Sequence, residues 1–472
     1  MPGILTVAMK HTNHEKVLRA LAAEYERRSP RSAAANREAL KYMVDGGSHT
    51  LRLIRPFPPR IASASGAYVT DEDGHRILDF WQGHYANVLG HNPVELTEPL
   101  ARAFASGSGL QTGFTDTLQV EVAELACRLT GSERVRFTSS GSLATMYAVL
   151  LARGFTGRDL VMKVGGGWHG GQPWGLVGVE LKEGDHASYQ HAESKGLPGA
   201  VAEEVICTRY NDTAMLERLF AEHGGRIACF ILEPVIGSGG FLPGDPAYLA
   251  AARRLATQHG SLLIFDEVIA GFRFRAGSAS ALYGIQPDLA TFAKAMGGGM
   301  PVAAVAGRAD VMALAGRGGS VKFSGGTYSC HPASMLAART MMRHLAAHEA
   351  EIYPRINSLG AAARKTVEEA LRAEGFPARL TGHPNPAIRG SSVGAVVFPY
   401  NGSAEISSPE QVRDPETCDV ELVDTVLQLA MLLEDVHVTH GLGGLSTAHT
   451  EGDVARLGEA CRAAARRIRA AR

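Results

Sequence analysis

The chain has few cysteines, no excess of charge of either sign and no long apolar run, and each of these absences argues against certain classes of protein. Its six cysteines are scattered through 472 residues without a C-x-x-C pair, which argues against a disulfide framework or a metal site and favours a reduced cytosolic protein. The formal net charge is −1, and dispersed basic residues give no sign of nucleic-acid or membrane partners. No apolar run approaches the roughly 20 residues of a membrane span, and residues 1–16 lack a signal-peptide pattern. We therefore expect a soluble cytoplasmic protein.

The length and the order of apolar segments predict an α/β protein of two unequal parts. Short apolar runs alternate with helical patterns between about residues 120 and 306, which indicates a mostly parallel sheet with helices on both faces. The runs are Arg134–Phe137, Leu160–Met162, Ile227–Leu232, Leu262–Phe265 and Val302–Ala306. We predict a large domain over 71–332, with the segments 1–70 and 333–472 forming a smaller α+β lobe.

The most informative residues are Lys294, which precedes a glycine-rich stretch, and Asp266, which ends an apolar run. A lysine that forms an imine and a carboxylate that keeps a ring nitrogen protonated are the two groups that pyridoxal phosphate requires. An acid at the end of a buried strand needs a partner, because an unpaired buried charge is costly. A capping acid or a metal-binding pair with Glu267 would explain Asp266 equally well.

Two small-residue segments could hold a phosphate or a flat ring. Gly141 and Ser142 lie between a predicted strand and a predicted helix, where free amides bind anions, although an ordinary helix cap also explains Ser142. The run Gly165–Gly170 satisfies G-x-G-x-x-G, but proline and glycine after it break the helix that a dinucleotide loop requires. Trp168 within this run is suited to cover a cofactor ring or simply to pack over the turn. His169 is better suited to hydrogen-bonding support than to metal ligation.

Taken in order, several short motifs resemble those of class III (fold type I) pyridoxal-phosphate aminotransferases. Within that class, the chain is similar to the group containing glutamate-1-semialdehyde aminomutase, β-phenylalanine aminotransferase and D-phenylglycine aminotransferase. The resemblance covers about 46–450. The motifs are Ser140-Gly141-Ser142, Trp168-His169-Gly170, Glu233-Pro234-Val235, Asp266-Glu267-Val268, Lys294 and Gly326-Thr327.

The resemblance implies a role for each cofactor-site residue. Lys294 would form the internal aldimine and shuttle the proton, and Asp266 would pair with the ring nitrogen. The remaining cofactor contacts would be phosphate binding by Gly141 and Ser142, ring packing by Trp168 and Val268, and a phosphate contact from Thr327 of the neighbouring subunit. That last contact implies a homodimer with a shared active site.

The substrate side departs from these relatives. Gly441 falls where aminomutases carry a glutamate and β-phenylalanine aminotransferase an arginine, and His49 falls where the latter has its other carboxylate-binding arginine. Ser238 stands where aminomutases have an asparagine. His49 and His84 are tentative substrate residues, although core packing also explains His84. Arg52 is one of several arginines that either replace the missing handles or simply lie on the surface.

We therefore expect an enzyme that transfers an amino group between an amino acid, β-amino acid or amine and a keto or aldehyde acceptor through a Lys294 aldimine. A 2,1-aminomutase of the glutamate-1-semialdehyde type is an alternative, which the glycine at 441 weakens. A racemase or epimerase on the same cofactor, and a non-catalytic binding or assembly subunit, are further alternatives. From a different class, a nicotinamide oxidoreductase would use the loop 165–170.

Overall fold

The computed structural model describes residues 13–181, 189–398, 400, 405–414 and 418–472. Its strands belong to one large sheet, one smaller sheet and three short pairs. In chain order they are β1 (Ile61–Ser65), β2 (Tyr68–Asp71), β3 (Arg76–Asp79), β4 (Arg134–Thr138), β5 (Leu160–Val164), β6 (Val205–Thr208), β7 (Ile227–Leu232), β8 (Val235–Ile236), β9 (Leu242–Pro243), β10 (Leu262–Glu267), β11 (Leu289–Phe292), β12 (Ala303–Gly307), β13 (Arg379–Leu380), β14 (Val393–Gly394), β15 (Val396–Val397), β16 (Val436–His437) and β17 (Gly443–Gly444).

The large sheet has the order β4-β12-β11-β10-β7-β5-β6. Strand β12 is antiparallel to both of its neighbours, whereas β11, β10, β7, β5 and β6 are parallel to one another. All residues of β5, β7 and β10 are buried, as expected of strands covered on both faces. Their carboxyl ends therefore share one edge of the sheet, which is where ligands bind in such folds.

The longer helices cover this sheet and build the terminal segments. Those of ten residues or more are α1 (Glu15–Arg28), α2 (Pro30–Ala39), α3 (Val94–Ala105), α4 (Thr117–Thr130), α5 (Gly141–Thr156), α6 (Thr213–His223), α7 (Pro246–His259), α8 (Pro332–Ala347), α9 (Glu349–Ala373) and α10 (Glu451–Ala471). Shorter helical turns include Thr50–Arg52, Pro173–Leu176, Ser280–Tyr283, Lys294–Gly297 and Pro409–Arg413. None of the helices in the described ranges is long and apolar enough to cross a membrane.

The N- and C-terminal segments meet in the smaller sheet, which has the order β1-β2-β3-β16. Strand β16 pairs with β3 in parallel, so that Val436 lies opposite Leu78, and α1 packs against α10. The predicted division into 1–70, 71–332 and 333–472 stays a prediction. Because β2 crosses the boundary at residue 70, the hairpin of β2 and β3 belongs structurally with the sheet that unites the two terminal segments.

Candidate active site

Asp266 lies at the carboxyl edge of the large sheet, next to β7 on one side and β11 on the other. The strand register places it opposite Thr291. Its side chain is buried and accepts hydrogen bonds from three donors: His169 Nδ1 at 2.7 Å, Thr291 Oγ1 at 2.9 Å and the backbone N–H of Val268 at 3.1 Å. Hydrogen bonds of this kind stabilise the ionised form of a carboxylate. The Asp266 side chain is thus held in one orientation as a hydrogen-bond acceptor.

The bond to Asp266 confirms the prediction that His169 gives hydrogen-bonding support. The imidazole is buried, and burial lowers its pKa while the Asp266 charge opposes that shift. A neutral ring that donates from Nδ1 leaves Nε2 as an acceptor, and Nε2 has no hydrogen-bond partner among the described residues. The backbone at His169 is held as well, because its carbonyl accepts hydrogen bonds from Thr145 and from Gln172 Nε2.

The loop that carries Trp168 and His169 is anchored by Lys163, a residue that the sequence analysis missed. Lys163 is fully buried in β5, and its ammonium group donates hydrogen bonds to the carbonyls of Gly167 at 3.0 Å and Val177 at 2.8 Å. Burial lowers its pKa to about 8. A lysine inside an otherwise apolar strand was the available sequence signal, since a buried charge requires such partners. No α-helix follows the loop, only the short turn Pro173–Leu176, unlike a dinucleotide-binding loop.

The N-terminus of α5 faces this loop. Gly170 has φ +104° and lies so close to Ser142 that a Cβ there would be 2.5 Å from the Ser142 hydroxyl. Gly141 lies against Val268, whose two methyl groups would be 3.0 Å from a Cβ at position 141. Four predicted cofactor segments, 141–142, 168–170, 266 and 268, are therefore in one place. The amides at the start of a helix are suited to bind an anion.

Lys294 begins a short helical turn directly after β11 and has a positive φ of 44°. Its amine makes no hydrogen bond with a described residue, and burial lowers its pKa, while Asp266 and Glu233 oppose that shift. Because Asp266 and Glu233 act on this amine, Lys294 shares the environment of the carboxyl edge. A lysine of lowered pKa is suited to act as a nucleophile and base.

His49 and His84 lie together near Lys294. Their ring centroids are 4.5 Å apart, and Arg52 Nε donates to His84 Nε2 at 3.3 Å. Burial lowers the pKa of His84 to about 3, and the positive charges of Arg52 and Lys294 add to that shift. Burial lowers the pKa of His49, and the same two cations add to that shift. Arg52 makes no ion pair with a described residue, so this wall of the site is electropositive.

His84 owes its position to a left-handed turn, a feature that the sequence did not reveal. Residues Gln82, Gly83, His84 and Tyr85 all have φ between 47° and 68°, a conformation that costs L-residues about 1–2 kcal/mol each. Buried Asp79 accepts hydrogen bonds from the N–H groups of Trp81 and Gln82, each at 2.9 Å. The fully buried Arg273 donates to the carbonyl of Tyr85. These contacts hold a strained turn that a free peptide would not adopt.

Gly441 cannot present a substrate handle in this backbone. Its φ is +80°, and a Cβ there would be 2.6 Å from Val396 Cβ and 3.4 Å from Val423. The packing around Gly441 thus leaves no room for a side chain at this position. Ser238, by contrast, lines a small cavity together with Arg413, Asp424 and His440. Asp424 accepts from Arg413 and His440 at 3.1 and 3.0 Å, so these charges satisfy one another.

Two predicted residues are exposed and are not drawn into these contacts. Trp168 is 44% exposed, and Thr327 lies exposed in a turn that precedes α8. Their roles in ring stacking and in a neighbouring subunit's phosphate site stay predictions. Glu267, the second acid of its motif, has a separate structural role, because its carboxylate accepts from Ser278 and from the N–H of Ser280. The described residues contain no cluster of three potential metal ligands.

The residues at the carboxyl edge fit pyridoxal phosphate. An amine of lowered pKa that makes no hydrogen bond with a described residue, a carboxylate held by three donors, and a helix N-terminus with a neighbouring hydroxyl match the aldehyde, ring nitrogen and phosphate of that molecule. The fit rests on Lys294, Asp266 and Ser142, and the structure brings the elements that carry them together.

The chain belongs to the aminotransferase class-III family, whose profile matches residues 54–383. It is 36% identical over 442 residues to a glutamate-1-semialdehyde 2,1-aminomutase from Laribacter hongkongensis, covering 91% of this chain and 98% of the relative. A β-phenylalanine aminotransferase from Variovorax paradoxus superposes with a TM-score of 0.81 at 29% identity, covering 95% and 97% of the two chains. A transaminase solved with PLP bound gives 0.81 at 29% identity, covering 94% and 98%.

These findings confirm the predicted family, the fold type I architecture and an enzyme of the pyridoxal-phosphate class. Sequence reasoning missed Lys163, the pairing of His169 with Asp266 and the bond between Arg52 and His84. The last two join residues that are 97 and 32 positions apart, and no local pattern announces such contacts.

Proposed function

We propose that the protein is a pyridoxal-phosphate aminotransferase that moves an amino group from an amino acid, β-amino acid or amine to a keto or aldehyde acceptor. The observation that carries the proposal is the Asp266–His169 pair facing the Lys294 environment at one sheet edge. When bound, the cofactor supplies an electron-accepting ring. Asp266 holds a proton on the ring nitrogen, His169 fixes the orientation of Asp266, and Lys294 binds the cofactor and moves the substrate proton.

The proposal assigns the other cofactor contacts residue by residue. Gly141 and Ser142 bind the phosphate through amides and the hydroxyl, and Val268 and Trp168 pack on the two ring faces. Thr327 completes the phosphate site of a second copy of the chain, so the enzyme is a homodimer. Tyr328, beside Thr327, is 63% exposed, and Phe114 is 81% exposed; large apolar side chains at a surface support such an interface. Sedimentation that shows a monomer at working concentration would contradict this assignment.

The substrate side is formed by His49, His84 and Arg52. Because Arg52 is positive and no described carboxylate pairs with it, we propose that this wall binds a carboxylate of the substrate. His84 stays neutral, since its pKa of about 3 is far below physiological pH. It supplies an imidazole ring, not a charge, and packs at a tilt of 48° against Trp81 with ring centroids 4.0 Å apart.

A 2,1-aminomutase is the second candidate, and the 36% identical relative of that name favours it. The backbone at Gly441 weighs against it, because a glutamate there would collide with Val396. The two reactions differ in stoichiometry. A mutase converts a single amino aldehyde without a separate acceptor, whereas an aminotransferase leaves the cofactor in its amino form until an acceptor arrives.

A half-reaction screen separates these candidates and identifies the substrate. Amines, α-amino acids, β-amino acids and amino aldehydes are each mixed with the enzyme, and loss of the cofactor's visible band is followed. We expect carboxylate-bearing amino donors to convert the band and a keto acid or aldehyde to restore it. Product formation from an amino aldehyde alone would favour the mutase.

We further propose a cytoplasmic protein with small-molecule partners and with the lobes 1–70 and 333–472 around the large domain 71–332.

A further inference from the structure

Glu233, in the Glu233-Pro234-Val235 motif, is a buried acid that the proposed function does not use. It follows the last residue of β7 and is 3% exposed. Its Oε2 accepts a hydrogen bond from the N–H of Gly237 at 2.9 Å. Its Oε1 is inaccessible to solvent and has no partner among the described residues. An ionised carboxylate would leave this oxygen unsatisfied, at a substantial cost.

The strand register places Glu233 beside Asp266. Strands β7 and β10 are parallel, with Leu232 opposite Phe265 as their last paired residues, and continuing this register by one residue brings Glu233 beside Asp266. Residues in this register project from the same face of a sheet, on strands about 4.8 Å apart. Two buried carboxyl groups so close together cannot both ionise cheaply.

Their surroundings decide which of the two keeps the proton. Asp266 accepts three hydrogen bonds, from His169, Thr291 and Val268, whereas Glu233 accepts one. Burial and, next, the charge of Asp266 raise the pKa of Glu233 to about 8. The other charges that act on it are Lys294, after β11, and Lys163 on β5, which oppose the shift. The Tyr210 hydroxyl donates to its backbone carbonyl, not to its carboxyl group.

We propose that Glu233 and Asp266 form a carboxyl pair that carries one proton at neutral pH, and that this proton resides on Glu233. The site then presents a single anion, Asp266, to a protonated ring nitrogen. A protonated Glu233 also favours the uncharged amine of Lys294, because Glu233 raises the pKa of Lys294 only when ionised. Glu233 is thus a positioning residue that acts through Asp266 and Lys294, and this role rests on the proposed function.

Infrared spectroscopy of the purified protein tests the pair. Wild type, Glu233→Gln and Glu267→Gln are titrated from neutral to alkaline pH. We expect a carboxylic-acid C=O band that fades as the pH passes about 8, is missing in Glu233→Gln and persists in Glu267→Gln. It is distinct from the Glu267 signal, which fades nearer pH 7 and is missing in Glu267→Gln. Glu267 is the matched control, because burial also raises its pKa, to about 7, but Ser278 and Ser280 are its partners. Wild type without the band, or Glu233→Gln with it, would overturn the proposal.

Asp266→Asn tests the coupling. Without the neighbouring charge, the Glu233 band is expected to fade at a pH lower by about one unit or more; an unchanged midpoint would contradict the pair. The visible spectra of the same samples report the cofactor. A missing cofactor band would count against the proposed function, and a missing carboxylic-acid band against the pair alone. Should Glu233→Gln fail to fold, wild type, Glu267→Gln and Asp266→Asn still decide, because a band unaffected by Asp266→Asn contradicts the proposal.

Discussion

The cofactor side and the substrate side of the site are held in different ways. On the cofactor side, Asp266 and His169 are buried, and Asp266 has three hydrogen-bond donors. On the substrate side, His49 and Arg52 are exposed, and the side chain of Arg52 hydrogen-bonds only to His84 among the described residues. A buried hydrogen-bonded network fixes one geometry, whereas exposed side chains can differ between relatives that share the chemistry. The contrast explains why the family is evident and the substrate is not.

The largest effect is expected on the cofactor side. Asp266→Asn removes the anion that pairs with the ring nitrogen, so the half-reaction rate should fall about 10³-fold, as measured by single-turnover loss of the visible band. Glu267→Gln, a change at the adjacent buried acid on the other face of the strand, serves as the control and should slow the reaction less than about threefold. Equal losses in the two variants would mean that burial, not position, gives Asp266 its role.

Gly441→Ala tests whether the substrate side has lost a handle for structural reasons. The positive φ and the contact with Val396 should together lower the free energy of unfolding by about 3 kcal/mol, as measured by denaturant titration. Gly375 has φ +82°, and a Cβ added there would have no heavy atom within 4 Å, so Gly375→Ala should cost only about 1 kcal/mol. If Gly441→Ala is no worse than this control, the packing does not exclude a side chain there.

The hydrogen bond from His169 to Asp266 can be tested separately on the cofactor side. His169→Phe leaves Asp266 without its buried donor and should slow the half-reaction about 10- to 100-fold, the usual range for residues that orient a functional group. His169→Asn keeps an N–H near the position of Nδ1 and should recover part of the rate. An asparagine variant as slow as the phenylalanine variant would contradict this role.

On the substrate side, Arg52→Met should raise KM for a carboxylate-bearing donor about tenfold, since one charge-assisted hydrogen bond at an exposed site is lost. The same donor without its carboxylate should bind equally well to both proteins. Added salt should weaken binding to wild type more than to the variant. Arg55→Met is the matched control, because Arg55 is also exposed but makes no contact with His84. An equal rise in KM for both arginine variants would mean that the effect comes from surface charge in general and not from Arg52.

The sequence predicted the parts of the fold that depend on local patterns. The runs that became β7 and β10 are apolar throughout and end where predicted or two residues later. The four-residue strand β11 was missed, because it merges with the segment that leads to Lys294. The reversal of β12 also left no local trace, since strand direction is set by the connection and not by the residues.

The site was predicted as far as its residues follow strand ends. Asp266 lies at the end of β10 and Lys294 comes shortly after β11, and glycines at 141 and 170 mark close backbone approach. The residues of the substrate wall were named as candidates, but its geometry could not be predicted. It depends on a left-handed turn in which Gln82, His84 and Tyr85 are not glycine, and that turn is held by the nearby Asp79 and by Arg273, which is 188 positions from Tyr85.

The most direct test of the central claim is the visible spectrum of the purified protein before and after borohydride. A lysine imine absorbs in the visible range, and reduction should fix the cofactor to one peptide, which mass spectrometry should locate at Lys294. Lys294→Ala should lose both the imine band and the fixed cofactor. Wild-type protein that, supplied with pyridoxal phosphate, shows no such band, or one whose reduction labels a different lysine, would contradict the account.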